Sequence, residues 1–160
     1  MDYYNQDQYF PIDIDLNMLN DISRNSLISY LGIEYTCLDK DTLYAKMPIN
    51  EHTKQPMGIL HGGASVVLAE TVGSMAANLM VDRNQYYCVG LEINANHVHI
   101  ATAGYVHAKA SPLHVGKSTH VWQIYITNDQ KQLVCVSRHT VAVLKHKHPL
   151  NPNVFPKYMS

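Results

Sequence analysis

Apolar positions crowd one stretch of this chain above all others. Between Ala64 and Val81 they fall at 64, 66, 67, 68, 69, 72, 75, 76, 77, 79, 80 and 81. At helical spacing these cover almost the whole circumference, which predicts a long helix buried on every side. Before it, Leu43, Ala45 and Met47 alternate with Tyr44, Lys46 and Pro48, the period of a half-buried strand. With the β-rich run Ile33 to Leu38 and the polar turn Asp39-Lys40-Asp41, residues 32–49 read as a hairpin. After the helix come four strand-like segments, 86–98, 104–116, 118–127 and 132–145. Ser111-Pro112 predicts a bend or bulge in the second, and Asn128-Asp129-Gln130-Lys131 a turn between the last two. Over residues 16–31, Leu and Ile recur at helical spacing beside Asn and Ser caps, giving one or two short helices that Gly32 ends. The order is short helices, two strands, one long helix, four strands. It suits an α+β domain in which an antiparallel sheet wraps around one central helix. We read residues 1–15 as a flexible segment, 16–145 as a single domain and 146–160, with three prolines, as a solvated tail.

The polar exceptions carry the chemistry. Glu70 is the one ionisable residue in the apolar helix, and Ser74 follows at i+4 on the same face. A carboxylate among apolar side chains is costly unless partnered, and its pKa tends to rise. It is either a structural acid with a hydrogen-bond partner or a working one. Pro56 and Gly58 mark a loop before the helix, and Gly62-Gly63 stand at its start. The first N–H groups of a helix lack intrahelical partners and carry partial positive charge, and glycine lets a ligand atom approach them. They form a candidate oxyanion site. At ~1.5 Å rise per residue, Glu70 lies roughly 10–12 Å further along the axis. One compact site would therefore need the helix start of one copy and the Glu70 face of another.

Composition narrows the field. In 160 residues, 12 Lys and Arg face 13 Asp and Glu with no basic block, which disfavours nucleic acid. No apolar run approaches the ~20 residues of a membrane span, and the polar, acidic N-terminus is unlike a signal peptide. Cys37, Cys88 and Cys135 are odd in number and widely spaced, as in a cytoplasmic protein, and read as small buried residues. His97-Val98-His99 has an i, i+2 spacing that places both imidazoles on one strand face. No Cys or carboxylate completes a zinc-like set, so no metal is expected.

Gln55-Pro56, Gly58, Leu60-His61-Gly62-Gly63-Ala64-Ser65, Leu68-Ala69-Glu70 and Gly73-Ser74 together resemble the hotdog-fold acyl-CoA thioesterases of the 4-hydroxybenzoyl-CoA thioesterase superfamily. Val89-Gly90-Leu91-Glu92-Ile93-Asn94-Ala95-Asn96-His97, Pro112-Leu113-His114-Val115-Gly116 and Val121-Trp122-Gln123-Ile124 extend the likeness, which spans about residues 25–145. It is closest to the subgroup that hydrolyses 1,4-dihydroxy-2-naphthoyl-CoA in menaquinone synthesis. A sister subgroup clears misloaded aryl groups from a carrier protein in siderophore synthesis. The resemblance implies a cytoplasmic thioesterase acting on an aromatic or bulky acyl-CoA, or on an acyl-carrier protein, with no cofactor. It implies homodimers that assemble into a homotetramer. By the same match, Glu70 is nucleophile or general base, Gly62 N–H the oxyanion donor and Ser74 an assistant to Glu70 or the water. Gln55 contacts the thioester, and His61 positions the loop and carbonyl. Gly63 and His97 border the substrate, His97 near the pantetheine entry. Lys117 or Ser118 stands near the CoA phosphates, where relatives often carry Gly-Arg; lysine keeps the charge and loses the planar fork. Two other readings use similar residues. One is a hotdog hydroxyacyl dehydratase, whose Phe-Pro-Gly-type loop is missing here. The other is a non-catalytic acyl-CoA or carrier-protein binder.

Overall fold

A computed structural model describes residue 10 and residues 14–147. The expected flexible segment (1–15) and tail (146–160) lie almost wholly outside the described residues. Two short helices, α1 (Leu16–Ile22) and α2 (Leu27–Tyr30), lead into the hairpin β1 (Glu34–Asp39) and β2 (Thr42–Pro48). The long helix α3 (Gly62–Leu79) follows, then β3 (Tyr86–His97), β4 (Tyr105–Val115), β5 (Thr119–Asn128) and β6 (Leu133–Lys145). Local chemistry sets the ends. The Asp15 carboxylate accepts from Asn17 N–H to start α1, and Ser26 and Ser29 form a reciprocal cap on α2. Gly32 stops α2 at φ +68°, a conformation that disfavours other residues.

The strands form one antiparallel sheet in the order β1-β2-β4-β5-β6-β3. The register shifts between Pro112 and His114, at the predicted bend. A second shift, between Gly90 and Glu92, leaves Leu91 as an extra residue in β3. The sheet curls around α3, which touches every strand from β2 to β6. Leu43, Ala45 and Met47 of β2, Val106, Ala108 and Ala110 of β4, and Trp122, Ile124 and Ile126 of β5 all point inward and are buried. This is the hotdog arrangement.

Two sequence expectations are corrected. Helix α3 is buried on one side only. Ala64, Ser65, Leu68, Ala69, Val72, Gly73, Ala76 and Ala77 press on the sheet, and their small side chains let the helix approach it closely. On the other side Val66, Val67, Thr71, Ser74, Met75 and Asn78 remain partly exposed and Glu70 is exposed. The apolar count predicted burial all round because it cannot tell how many faces of the helix one sheet covers. Cys88 and Cys135 are buried as expected, but Cys37 is exposed, on an edge strand where the register shifts between Tyr35 and Cys37.

Candidate active site

The loop before α3 is built by short hydrogen bonds. Gly58, at φ +79°, turns the chain so that Gly58 N–H reaches Gln55 O and Gln55 N–H reaches Ile59 O, both at 2.9 Å. Buried Thr53 anchors the other side: its hydroxyl donates to Pro48 O at 2.8 Å, and its carbonyl accepts His61 N–H at 2.8 Å. Leu60 N–H donates to Ala101 O at 2.8 Å, tying the loop to the segment before β4. His61 is then the N-cap of α3, and its Nδ1 accepts Gly63 N–H at 2.9 Å. Because Nδ1 accepts, the proton of a neutral His61 ring sits on Nε2. Ala64 N–H and Ser65 N–H both turn to His61 O. The Gly62 N–H is the helix-start donor that no acceptor among the described residues takes up.

Gly62 faces a cleft of about 530 Å³ lined by Gln55, Leu60, Ser65, His97, His99 and Ile100, among others. The His97 ring lies against Gly62: a Cβ on Gly62 would stand 2.9 Å from His97 Nε2. Gly62 therefore serves both the free N–H and the close approach of the imidazole. The cleft wall contains no carboxylate. The expectation that His97 and His99 share one strand face is corrected. β3 ends at His97, and the backbone turns there, with the Val98 and His99 N–H groups both reaching Val134 O.

Glu70 and Ser74 occupy a second location, two to three turns along α3 beside the middle of β3 and β6. Glu70 is exposed there, not enclosed as its apolar neighbours suggested. Its Oε1 and the His139 ring both crowd Gly90: a Cβ on that glycine would be 3.3 Å from Glu70 Oε1 and 3.1 Å from His139 Cε1. Ser74 Oγ is 3.0 Å from His139 Nε2, and His139 Nδ1 is 3.1 Å from Glu92 O. Asn78, one turn on, fastens the helix to β3: its amide donates to Ser74 O and Cys88 O and accepts Cys88 N–H at 2.8 Å. Burial lowers the His139 pKa from the ordinary histidine value; the Glu92 carbonyl and the charges of Glu70 and Glu92 pull the other way.

Within one chain the predicted residues thus divide. Gln55, His61, Gly62, Gly63 and His97 gather at the start of α3, and Glu70 and Ser74 stand further along, outside the lining of the cleft. Lys117 and Ser118 join neither. They are exposed on the β4–β5 turn, where Ser118 O accepts Val143 N–H at 2.9 Å. His139 was missed by sequence reasoning. A signal for it exists: Cys135, Ser137, His139 and Val141 occupy the buried phase of β6, and a histidine at an inward strand position needs a partner.

Comparison with known proteins agrees with this fold. The sequence profile of the thioesterase superfamily matches residues 57–135. The chain is 47% identical over 131 residues to the 1,4-dihydroxy-2-naphthoyl-CoA hydrolase of Escherichia coli K12, covering 82% of this chain and 96% of that one. It is 45% identical over 129 residues to the proofreading thioesterase EntH of Cronobacter turicensis, covering 81% and 93%. A crystal structure of a mutant thioesterase from Pseudomonas aeruginosa superposes with a TM-score of 0.85 at 46% identity, covering 86% of this chain and 99% of that one.

Proposed function

The chain belongs to the thioesterase superfamily, and from that premise we propose that it hydrolyses an acyl-CoA, with an aromatic or bulky acyl group, in a site shared between two copies. The observation that carries the shared site is the separation of its parts. The cleft with the free Gly62 N–H has no acid in its wall, and Glu70 stands exposed on the uncovered face of α3. Two copies joined along that face bring an acid to each cleft. The free edge supports this pairing. β3 pairs with β6 on one side only, and Val89, Leu91, Val98 and Ile100 leave apolar surface exposed along and just beyond it.

In this arrangement the thioester carbonyl oxygen accepts from Gly62 N–H, which stabilises the oxyanion as the tetrahedral intermediate forms. Gln55 and His97 border the acyl-thioester. Glu70 of the second copy removes a proton from water, whose oxygen attacks the carbonyl carbon. Collapse expels the CoA thiolate, which takes up the proton that Glu70 removed from water, and leaves the free acid and a regenerated carboxylate. Ser74, one turn beyond Glu70, supplies a second polar atom for that water and favours the general-base form over direct attack by the carboxylate. These steps are assigned to protein groups alone, with no metal or cofactor. The exposed Lys117 and Ser118 are assigned to CoA phosphate contact as solvent-accessible groups on a turn. The preference for an aryl group rests on the likeness to the 1,4-dihydroxy-2-naphthoyl-CoA hydrolase of E. coli. Two such dimers stacking into a tetramer completes the reading.

The test is a thiol-release assay over aryl-, branched- and straight-chain acyl-CoAs, with one acyl-carrier protein thioester included. The reading predicts CoA release with the highest kcat/KM for an aryl or bulky acyl-CoA. Absence of thiol release from every CoA thioester, or a clear preference for straight chains, contradicts it.

A further inference from the structure

His139 has no part in the steps described above, yet the fold builds a place for it. It is 1% exposed, on an inward position of β6. Two glycines make the room. A Cβ on Gly73 of α3 would stand 3.1 Å from His139 Cδ2, and one on Gly90 of β3 would stand 3.1 Å from Cε1. Leu91 is the extra residue in the ladder beside it, and the Glu92 carbonyl two residues past Gly90 accepts the ring. A carbonyl only accepts, so Nδ1 carries a proton and donates to it at 3.1 Å. In the neutral ring Nε2 is then a bare acceptor, and the Ser74 hydroxyl 3.0 Å away donates to it.

We infer that His139 is a positioning residue: by taking the Ser74 hydroxyl hydrogen, it fixes the Ser74 oxygen as an acceptor for the water that Glu70 deprotonates. The inference rests on the general-base reading above. A serine free to rotate would donate as readily as accept, and beside a carboxylate it would donate to Glu70 and weaken the base. Locked onto His139, it presents only lone pairs to the water. The water then gives one hydrogen to Ser74 Oγ as a hydrogen bond and the other to Glu70, which orients its oxygen lone pair.

Protonation of His139 reverses the lock. A cationic ring donates from Nε2 to Ser74 Oγ and turns the serine hydrogen outward. Two carboxylates face the ring, Glu70 from α3 and Glu92 from β3, and both favour the cation. From β5 the register places Trp122 opposite it, which does not titrate. Burial outweighs the two charges and keeps the ring neutral to a lower pH than an ordinary histidine.

Three variants and one spectrum test this. ¹⁵N-edited NMR of histidine-labelled protein, assigned by loss of signals in His139→Leu, is expected to show His139 with its proton on Nδ1 at pH 7. His139→Leu, which keeps apolar bulk, is expected to lower kcat about tenfold, the scale of one lost hydrogen bond, with KM changed less than about twofold. It also removes from the acid limb of kcat the ionisation lying below the ordinary histidine value. Ser74→Ala does the same, and the double variant is no slower than the slower single. His139→Gln, whose amide oxygen can accept from Ser74, recovers most of kcat without recovering that ionisation. A proton on Nε2, a folded His139→Leu with wild-type kcat and pH profile, or multiplying losses in the double variant overturns the inference. Glu70→Gln separates the two levels. If it keeps full turnover, the general-base reading itself fails. If it is inactive while His139→Leu is unimpaired, only the role of His139 fails.

Discussion

Glu70 sits where its loss affects chemistry more than folding. Its side chain is exposed and packs into no core, so Glu70→Gln keeps nearly the same shape and the same thermal midpoint. Removing a general base is expected to lower kcat by about 10²–10⁴. Steady-state thiol release beside a melting curve checks both, and near-normal kcat contradicts the assignment. Gly62→Ala is the companion test at the other half of the site. The new Cβ meets His97 Nε2 at 2.9 Å, so the ring must move away from the helix start. A loss of kcat/KM approaching about 10²-fold is expected from misplacement alone, and an unchanged value would show that nothing depends on that contact. His120 offers a prediction about stability. Burial, with His114 nearby adding to it, lowers its pKa from 6.5 to about 4. Between those values the unfolded chain takes up a proton that the folded chain refuses. Stability is therefore full above pH 6.5 and falls as the pH drops toward 4. Urea-unfolding midpoints at pH 7.5 and pH 5 should differ less in His120→Leu than in the wild type; equal differences contradict this. Residue chemistry was unevenly legible. Gly62 and Glu70 stand out because a glycine pair opens a helix and one acid interrupts an apolar run. His139 is one of ten histidines, and its importance depends on Ser74, 65 positions away in sequence.

The element that organises the fold is α3, and its two faces have different roles. The face of small residues and Leu68 is core. Leu68 is 0% exposed, and Leu68→Ala is expected to cost about 2–5 kcal/mol of unfolding free energy in a denaturant titration, with kcat of the folded protein little changed. A cost below about 0.5 kcal/mol would mean that this face is not packed as described. Strand and helix positions were readable because period-two alternation and the dense apolar run are local properties; α3 and the six strands begin and end within two residues of their expected places, and residues 16–31 divide into two short helices. Which side of α3 the sheet covers was not readable. That follows from the curl of β2 to β6 around it, a long-range property that residue types along one helix do not encode. The end of β3 at His97 was likewise set by the turn toward Val134.

At the scale of the whole molecule, the described residues of one chain present a cleft at the start of α3 and, apart from it, an exposed acid on the same helix. A cleft without an acid and an acid without a cleft are both accounted for if the uncovered face of α3 and the free edge of β3 meet their own copies. Leu91, 63% exposed on that edge, contributes little to an isolated chain. Leu91→Arg is therefore expected to leave the fold intact, yield monomer in analytical ultracentrifugation and abolish thiol release. An active monomer would exclude a shared site. The most direct measurement is complementation between two inactive partners. Glu70→Gln and Gly62→Val chains, each inactive alone, are co-expressed with different tags and the mixed dimer is isolated. A two-fold dimer has two equivalent sites, so a shared site predicts one doubly defective and one intact, and about half the wild-type activity per dimer. A mixed dimer as inactive as its parents would place both halves of the site in a single chain and contradict the account.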